Sequence, residues 1–488
     1  MLKPIVLYGR MNLMKKKAII IGAGMAGCFM AVCLAKRNYD VEVYESRPDV
    51  RRENYDSGRS FNLTLYYRGI EAMKKVGVWD AAKEVAEIAE GNVAHYETKN
   101  VYDSFDTRGN EILYTVHRNK LNGALINEAE KYDNINFFFN TKCRGLDAKK
   151  KEAYFEKSVA TYHVDKQKVS QKLKGNKYGL AETAKVRMTL SNTLAVKADL
   201  IVGADGVNST LRAQIANDKK EPAVKEYEDW GYKEVHINPS LVKHMKLRSK
   251  ATHTWPRPDS LLIAFPNPDS SFTLMFNLQL EGEKSFAKLK TKDQIGSFIE
   301  KDFPDLAPLL PEIVDAFQKK KTGTFVTLMN PIWHDKNFAF LIGDAAHAFI
   351  PFYGQGMCAA FDDCLKFVEL YDKHKGNLEK VFPLYQESRK RNTDLMAQLA
   401  RENFVELRDK SRSPFFVLKD KADTLLHMIF PKFWQPPLYV LIAHGDLEYY
   451  DAYEKYQKQL RLSKKIGLDF ALRAMAFPFN FVGKSRKN

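Results

Sequence analysis

The clearest pattern along the chain is a short apolar run, a glycine-rich turn and a longer apolar stretch with helical spacing. Residues 17–21 (KAIII) predict a buried strand, residues 28–37 (CFMAVCLAKR) a helix, and residues 40–45 (DVEVYE) a second strand. The glycine-rich segment GAGMAG (22–27) joins the first strand to the helix. This order predicts a βαβ unit at the centre of a parallel sheet.

Two later segments repeat the pattern of a buried strand that ends in a turn. They are ADLIVGADG (198–206) and FAFLIGDAAHAF (338–349). Residues 225–330 instead alternate strand-like pieces with proline and asparagine turns, which predicts a separate antiparallel sheet. The segments predicted to be largely helical are 66–90, 120–132, 355–411 and the region from 415 onward.

Composition narrows the class of protein. The chain has 488 residues, of which 45% are hydrophobic, which is enough for two or three folding units. It contains no run of about 18 uncharged apolar residues, so no membrane-spanning helix is expected. The first ten residues do not resemble a secretory signal, and a cytoplasmic protein is expected. The five cysteines show neither metal-ligand spacing nor clustering, and we expect buried thiols and no metal site.

The formal net charge of +16 has two interpretations. One is a solvated, lysine-rich surface, and the other is a surface that attracts an anionic membrane or a charged substrate. Nucleic acid is not expected as a partner, because no nucleic-acid-binding motif accompanies the charge.

The first turn has the spacing of a dinucleotide-binding site. Gly22 allows a tight turn, Gly24 lets the backbone approach a pyrophosphate, and Gly27 lets the helix pack on the strand. Glu45 ends the second strand, where a carboxylate can bind ribose hydroxyls. This motif alone does not distinguish FAD from NAD.

The two later turns indicate FAD. Asp205-Gly206 and Gly343-Asp344 each follow a hydrophobic strand, and an aspartate there can accept a hydrogen bond from a ribityl or ribose hydroxyl. The helix start that follows can face a phosphate or a flavin carbonyl.

Together with these turns, four segments carry a family resemblance. They are GRSFNLTLYYRG (58–69), HRNKLN (117–122), GDAAHAFIPFYGQGM (343–357) and ENFVEL (402–407). From about residue 17 to about residue 410 the chain resembles the single-component FAD-dependent aromatic monooxygenases, and within them the kynurenine 3-monooxygenase family.

The resemblance implies an enzyme that uses FAD, a transient NADPH (or NADH) and O2 to hydroxylate a small aromatic substrate through a flavin C4a-hydroperoxide. It implies no metal and assigns no catalytic side chain. The residues implied to hold the cofactor are Gly22, Ala23, Gly24, Met25, Ala26, Gly27, Glu45, Arg59, Arg118, Asp205, Gly206, Gly343, Asp344, Pro351, Gly354, Gln355, Gly356 and Met357.

The implied substrate site departs from the family pattern. The resembled family binds its substrate carboxylate with an arginine five residues before a histidine, and Glu90 stands at that spacing before His95. Phe105 stands where a tyrosine is expected. The remaining substrate-binding candidates are Ile263, Phe265, Phe352, Asn403 and Glu406, with Trp255 nearby.

Two hypotheses follow from this departure. In the first, the substrate lacks a carboxylate there, or bears a cation or hydroxyl that Glu90 binds. In the second, Glu90 is solvated and another basic group, such as Arg108, replaces the arginine.

The predicted fold class is α/β, with a discontinuous Rossmann-like FAD-binding domain, an inserted antiparallel-sheet substrate domain and a C-terminal helical region. The predicted parts are FAD-binding segments at 15–80, 116–145, 199–218 and 331–375, substrate-domain segments at 81–115 and 219–330, a basic hairpin insertion at 146–198, and a C-terminal region at 376–488.

Several alternatives stay open on the sequence alone. The C-terminal region, with Phe470, Leu472, Met475, Phe477, Phe479 and Phe481, is either a lid over the active site or a peripheral membrane contact. The protein is expected to be a monomer or a homodimer. Other functions weighed are an FAD-dependent oxidase or reductase, a halogenase-like flavoenzyme, and a flavin-bound regulatory or binding protein.

Overall fold

The structure is a computed structural model, and it describes residues 15–52, 62–97, 99–105, 113–162, 186–245, 247–407, 414–468, 470–472 and 474–475. Arg59, Arg108, Phe477, Phe479 and Phe481 lie outside the described residues.

The strands within these residues are, in chain order, β1 (Lys17–Ile21), β2 (Asp40–Tyr44), β3 (Asn62–Leu65), β4 (Ala86–Ala89), β5 (Gly91–His95), β6 (Asn100–Ser104), β7 (Leu113–His117), β8 (Ile135–Phe138), β9 (Thr141–Asp147), β10 (Glu152–Tyr162), β11 (Val186–Lys197), β12 (Leu200–Gly203), β13 (Val224–Ile237), β14 (Thr252–Arg257), β15 (Ser260–Pro266), β16 (Phe272–Gln279), β17 (Gly323–Met329) and β18 (Ala339–Leu341).

The α-helices of the described chain are α1 (Met25–Ala35), α2 (Tyr67–Val76), α3 (Trp79–Glu84), α4 (Arg118–Ala129), α5 (Thr210–Lys219), α6 (Pro239–Met245), α7 (Lys292–Asp302), α8 (Leu310–Lys319), α9 (Asp344–His347), α10 (Gly356–Lys373), α11 (Leu378–Val405), α12 (Pro414–Ile429), α13 (Leu438–His444) and α14 (Tyr449–Lys465).

Five strands form a parallel sheet in the order β18–β12–β1–β2–β8. Its inner strands are buried along nearly their whole length, as expected where both faces of a sheet are covered. Helix α1 covers one face and stacks Phe29 on Phe361 of α10, with 4.3 Å between ring centroids. Because the strands are parallel, the turns that follow β1, β12 and β18 meet at one edge of the sheet.

A second sheet has seven strands in the order β17–β13–β16–β15–β14–β5–β6. Only the β5–β14 pairing is parallel; the other five are antiparallel. One face packs on α7 and α8 through an apolar core that includes Trp255, Phe276 and Phe303. The opposite face, with Ile263 and Phe265, borders a cavity.

Helices α11 to α14 complete the fold beside this cavity. Met396 and Leu399 of α11 pack in one core with Ile442 of α13 and Tyr449 of α14. The predicted fold class is confirmed by these three parts: a parallel sheet with helices, an antiparallel-rich sheet and a C-terminal helical region.

One predicted helix is only partly correct. Residues 66–90 form α2 and α3, but the segment ends in β4, which pairs with β7. The four residues of β4 are too few for their own pattern to identify a strand, so the pairing with a distant segment decides the conformation. The strand pair predicted in the basic insertion is present as β10 and β11.

The five cysteines are buried and unpaired, as predicted. No helix among the described residues is long and apolar enough to cross a membrane. At the described end of the chain, Phe470 is exposed and Leu472 is buried, and the predicted membrane contact stays a prediction.

Candidate active site

A cavity of 1830 Å³ lies where the edge of the parallel sheet, the open face of the seven-stranded sheet and the C-terminal helices meet. It is larger than the roughly 300–1,000 Å³ of a typical pocket for one small ligand. It therefore has room for a cofactor and a substrate together.

The first glycine turn has the geometry that the sequence predicts. Gly22 has φ +105°, and a Cβ there would lie 2.4 Å from the Ala204 carbonyl oxygen. A Cβ on Gly27 would lie 2.0 Å from the Gly22 carbonyl oxygen, so helix and strand are in direct backbone contact. Gly24 has no atom within 4 Å of its Cβ position and lines the cavity with Met25 and Ala26.

Helix α1 begins at Met25 without a side-chain cap. Its first N–H groups have no partner within the helix and carry the positive end of the helix dipole. This end of the cavity is therefore suited to a phosphate.

Glu45 borders a smaller pocket beside this turn, together with Ala23, Arg118 and Asn122. Its Oε2 accepts a hydrogen bond from the Ala23 N–H at 3.0 Å, and its Oε1 accepts one from Arg47 Nε at 2.8 Å. Burial alone would raise the pKa of the Glu45 carboxyl, but Arg47 and these N–H donors lower it below its usual range. The carboxylate is thus kept ionised where it can accept hydrogen bonds from hydroxyls.

Asp205 lies behind the cavity wall rather than in it, and this corrects the simplest expectation for the second turn. Its Oδ2 accepts a hydrogen bond from the Thr210 N–H at 2.7 Å, so it caps the start of α5. Its buried Oδ1 has no hydrogen-bond partner, and burial raises the pKa of the carboxyl. The wall here is formed by Ala204, Gly206 and Val207.

At the third turn, Asp344 lines the cavity, while Gly343 lies behind it and is held by a buried charge network. Asp363 Oδ2 accepts a hydrogen bond from the Gly343 N–H at 2.9 Å. The same oxygen lies 2.5 Å from His347 Nε2. Asp363 Oδ1 accepts a hydrogen bond from Arg389 Nε at 2.8 Å. Sequence reasoning missed Asp363 and Arg389. Asp363 could have been found as a charge in the largely apolar segment MCAAFDDCLKFV (357–368), whereas Arg389 stands in a polar segment and gave no such signal.

The loop before α10 forms the next part of the wall. Pro351, Phe352, Gly354, Gly356 and Met357 line the cavity. Gln355 is fully buried behind them, and its Oε1 accepts a hydrogen bond from the Tyr449 hydroxyl at 3.2 Å.

Asn403 and Glu406, near the end of α11, both border the cavity. Asn403 Nδ2 donates to the Phe352 carbonyl at 2.7 Å, so one predicted substrate residue also fixes the loop.

The predicted substrate residues Phe105, Ile263, Phe265 and Phe352 also line the cavity. Trp255 does not, because its ring lies in the core on the other face of β14 and its Nε1 donates to Asp305.

His95 lies on that core side too. Its Nε2 is 2.8 Å from His253 Nδ1, and its ring stacks on Trp255 at 4.2 Å.

Glu90 does not reach the cavity wall. Its carboxylate points to Arg248 and Lys250, at 3.9 and 3.8 Å, and is 39% exposed. These two cations attract the side chain to the surface. Glu90 is therefore not placed to bind a substrate cation or hydroxyl, as the first of the two hypotheses requires.

Asn92, two residues after Glu90 and on β5, does line the cavity. Its Nδ2 donates to Thr254 Oγ1 at 3.1 Å, and its Oδ1 accepts from Thr252 Oγ1 at 3.0 Å. Sequence reasoning missed Asn92, although alternation along β5 places Asn92 and Ala94 on one face and His95 on the other.

Three tyrosines from separate parts of the chain also border the cavity. Tyr66, Tyr353 and Tyr439 line the cavity, and the hydroxyls of Tyr66 and Tyr439 are 2.6 Å apart. Burial raises the pKa of Tyr66 and of Tyr439, so both phenols stay protonated and can donate hydrogen bonds.

Comparison with known proteins identifies the family. A model described as an FAD binding domain matches residues 154–371, and one described as an NAD(P)-binding Rossmann-like domain matches residues 20–67. The kynurenine 3-monooxygenase of Salinispora tropica is 33% identical over 464 residues, which cover 95% of each chain. The chain belongs to the kynurenine 3-monooxygenase family. The kynurenine 3-monooxygenase of Legionella pneumophila is 33% identical over 435 residues, 89% of each chain.

A solved structure agrees at the level of the fold. The tetrameric form of 2-methyl-3-hydroxypyridine-5-carboxylic acid oxygenase has a TM-score of 0.62 at 18% identity, covering 82% of this chain and 95% of that chain. As a member of the kynurenine 3-monooxygenase family, the protein is an FAD-dependent NAD(P)H monooxygenase, and the predicted enzyme class and cofactors are confirmed.

The described residues of this kynurenine 3-monooxygenase family member fit FAD. A Cβ at Gly24 or at Gly356 would project into open space in the cavity, and α1 begins there without a side-chain cap. Gly24 to Ala26 would face the phosphates, Glu45 a ribose, and Pro351 to Met357 the ring. The roles of individual residues stay predictions.

Proposed function

We propose that the protein hydroxylates a small aromatic molecule whose side chain carries no carboxylate at the β5–β14 end of the cavity. The observation that carries this proposal is the set of polar groups at this end. Asn92, Thr252 and Thr254 are uncharged and joined by hydrogen bonds, and the residue paired with Asn92 on β6 is the carboxylate Asp103. Phe105 beside them adds an apolar surface without a donor.

The charge balance of the wall supports the proposal. Among the described lining residues, the cations are Arg118, Lys419 and Lys421, whereas the carboxylates are Asp103, Asp344, Glu402, Glu406, Asp420 and Asp423. Lys419 is engaged by Asp423, with 2.7 Å between Nζ and Oδ2. The cavity therefore favours a neutral or cationic side chain over an anionic one.

The free-energy cost of burying an unpaired carboxylate is large enough to separate substrates with and without that group. A buried charge that loses its partner costs about 3–5 kcal/mol. That corresponds to roughly two to three decades or more in affinity. Substrates that differ only by a carboxylate should thus be well separated.

When bound, FAD would take electrons from NADPH and activate O2, which is the source of the oxygen atom transferred to the substrate. The chain's own residues hold the ring and keep water out. Ile263 and Phe265 present apolar groups from the sheet, and Pro351 and Phe352 present them from the loop before α10. A ring between these two surfaces is held at a fixed distance from the cofactor site, which favours transfer of oxygen over its loss to water.

The test is a titration of the holoenzyme with L-kynurenine, with its decarboxylated analogue kynuramine, and with 2-aminoacetophenone, which lacks the whole side-chain amine and acid. The change in flavin absorbance reports binding. We expect kynuramine to bind at least about tenfold more tightly than L-kynurenine, because only the latter brings an unmatched carboxylate. Tighter binding of L-kynurenine, with coupled hydroxylation, would contradict the proposal. In that case Arg108→Ala would show whether Arg108 supplies the cation.

A further inference from the structure

Helix α13 forms one wall of the cavity. It is seven residues long and is bounded by Pro436-Pro437 and by Gly445. Leu438, Tyr439, Leu441 and His444 line the cavity from this helix. The position of α13 therefore decides how well the cavity is closed.

Arg68, the second residue of α2, binds the end of this wall. Its guanidinium donates to the carbonyl oxygens of Gly445 at 3.1 Å, of Ile442 at 3.4 Å and of Leu447. The last carbonyl groups of a helix have no partner within the helix and carry its negative end, so a guanidinium is well matched to them.

Arg68 is itself held rigidly. Its side chain is only 8% exposed, it lies 3.4 Å from Asp362 of α10, and it is 4.4 Å from the ring centre of Tyr449. The Tyr449 hydroxyl donates to Gln355 in the loop before α10. One buried cation thus connects the α13 wall to the helix and loop that would face the FAD ring.

A second contact closes the same wall from the other end of α13. The Tyr66 hydroxyl lies 2.6 Å from the Tyr439 hydroxyl, and Tyr66 stands two residues before Arg68 in the chain. Both contacts join the segment 66–68, which comes early in the chain, to a helix near its C-terminal end.

We propose that Arg68 is a positioning residue that holds α13 closed over the cavity and keeps water out of it during the reaction. This role does not depend on which aromatic molecule is the substrate. The role of Arg68 and the proposed substrate class can therefore be tested separately.

The test compares Arg68→Lys with the matched control Arg37→Lys. Lysine keeps the charge but lacks the planar fork that reaches several carbonyls. Arg37 also contacts α10, through Asp372 at 2.8 Å, but does not line the cavity or contact α13. The measurements are iodide quenching of flavin fluorescence, substrate-free NADPH oxidation with hydrogen peroxide formation, and thermal unfolding.

For Arg68→Lys we expect the quenching constant and the peroxide rate to rise about threefold or more, because the open form gains population. Arg37→Lys should leave both at the wild-type level even if its melting temperature falls. Equal quenching in wild type and Arg68→Lys, or an equal rise in both variants, would overturn the proposal. If Arg68→Lys does not fold with FAD, Tyr439→Phe decides by the same criteria, since it removes only one hydroxyl.

Discussion

At the scale of single residues, Asn92 lines the β5–β14 end of the cavity, where the proposed function requires that no cation binds a substrate carboxylate. We expect Asn92→Arg to improve binding of L-kynurenine by about tenfold or more, because it adds a cation at a half-buried position on the cavity wall. The same change should weaken binding of the cationic kynuramine. Titration of flavin absorbance with both compounds measures the two effects.

Glu90→Arg is the matched control for this substitution. It introduces the same side chain two residues earlier, but at a site whose carboxylate faces Arg248 and Lys250. We expect little change in the affinity for either compound. A large gain for L-kynurenine in Glu90→Arg, with none in Asn92→Arg, would show that Glu90 is the substrate contact after all.

Asp363 is a second residue whose removal should have a defined cost. It is fully buried between His347 and Arg389, so Asp363→Asn leaves Arg389 without its main partner. The expected loss of unfolding free energy is about 3–5 kcal/mol, with weaker FAD binding, because the asparagine amide keeps only one oxygen for the donors Gly343 N–H and Arg389 Nε. Urea unfolding and FAD titration measure both. A loss under about 1 kcal/mol would mean that the network contributes little.

The same carboxyl predicts a pH dependence. Burial alone would raise the pKa of Asp363, but His347 and Arg389 lower it below its usual range. A lowered pKa in the folded state contributes stability that is fully present above the unfolded value of about 3.9 and is lost as pH falls toward the folded pKa. Wild type should therefore lose stability more steeply than Asp363→Asn below about pH 4. Parallel pH profiles would contradict this assignment.

At the scale of elements, the turn between β1 and α1 offers a matched pair of glycines. Gly27→Ala places a Cβ about 2.0 Å from the Gly22 carbonyl oxygen, so helix and strand must separate. Gly24→Ala meets no atom within 4 Å. We expect Gly27→Ala to unfold or lose the sheet, and Gly24→Ala to fold normally with weaker FAD binding. Circular dichroism and FAD titration distinguish them; wild-type FAD affinity in Gly24→Ala would show that its backbone does not approach the cofactor.

The same element shows what could be predicted from the sequence. The turn, α1 and β2 follow from local apolar spacing and glycine positions, and all are present. The strand β4 could not be predicted, because its pairing with β7 is a long-range contact. On β5, the alternation that separates Asn92 from His95 was readable, but the attraction of Glu90 to Arg248 and Lys250 depends on tertiary structure.

At the scale of the whole molecule, the ends of β10 and β11 that flank residues 163–185 of the basic insertion lie side by side. Tyr162 of β10 pairs directly with Val186 of β11, so a short turn can join them. We expect replacement of residues 163–185 by a two-residue Asn-Gly turn to leave FAD content and NADPH oxidation unchanged. Loss of FAD from a folded variant would show that the insertion takes part in the cofactor site.

The large-scale arrangement could be predicted less completely than its parts. The turns after β1, β12 and β18 each follow a short apolar strand and contain glycine, so the sequence alone predicted that one domain is formed by separate segments of the chain. The cavity wall made by α11 to α14 could not be predicted in the same way, since its contacts, such as Tyr449 with Gln355 and Arg68 with Gly445, join residues far apart in the chain.

The most direct test of the proposed function is product formation by the holoenzyme with NADPH and O2, using kynuramine and L-kynurenine in parallel. Product mass and the ratio of hydroxylated product to NADPH consumed are measured for each compound. We predict a gain of one oxygen atom with a high ratio for kynuramine, and mainly hydrogen peroxide for L-kynurenine. A high ratio for L-kynurenine with little product from kynuramine would contradict the proposed substrate class.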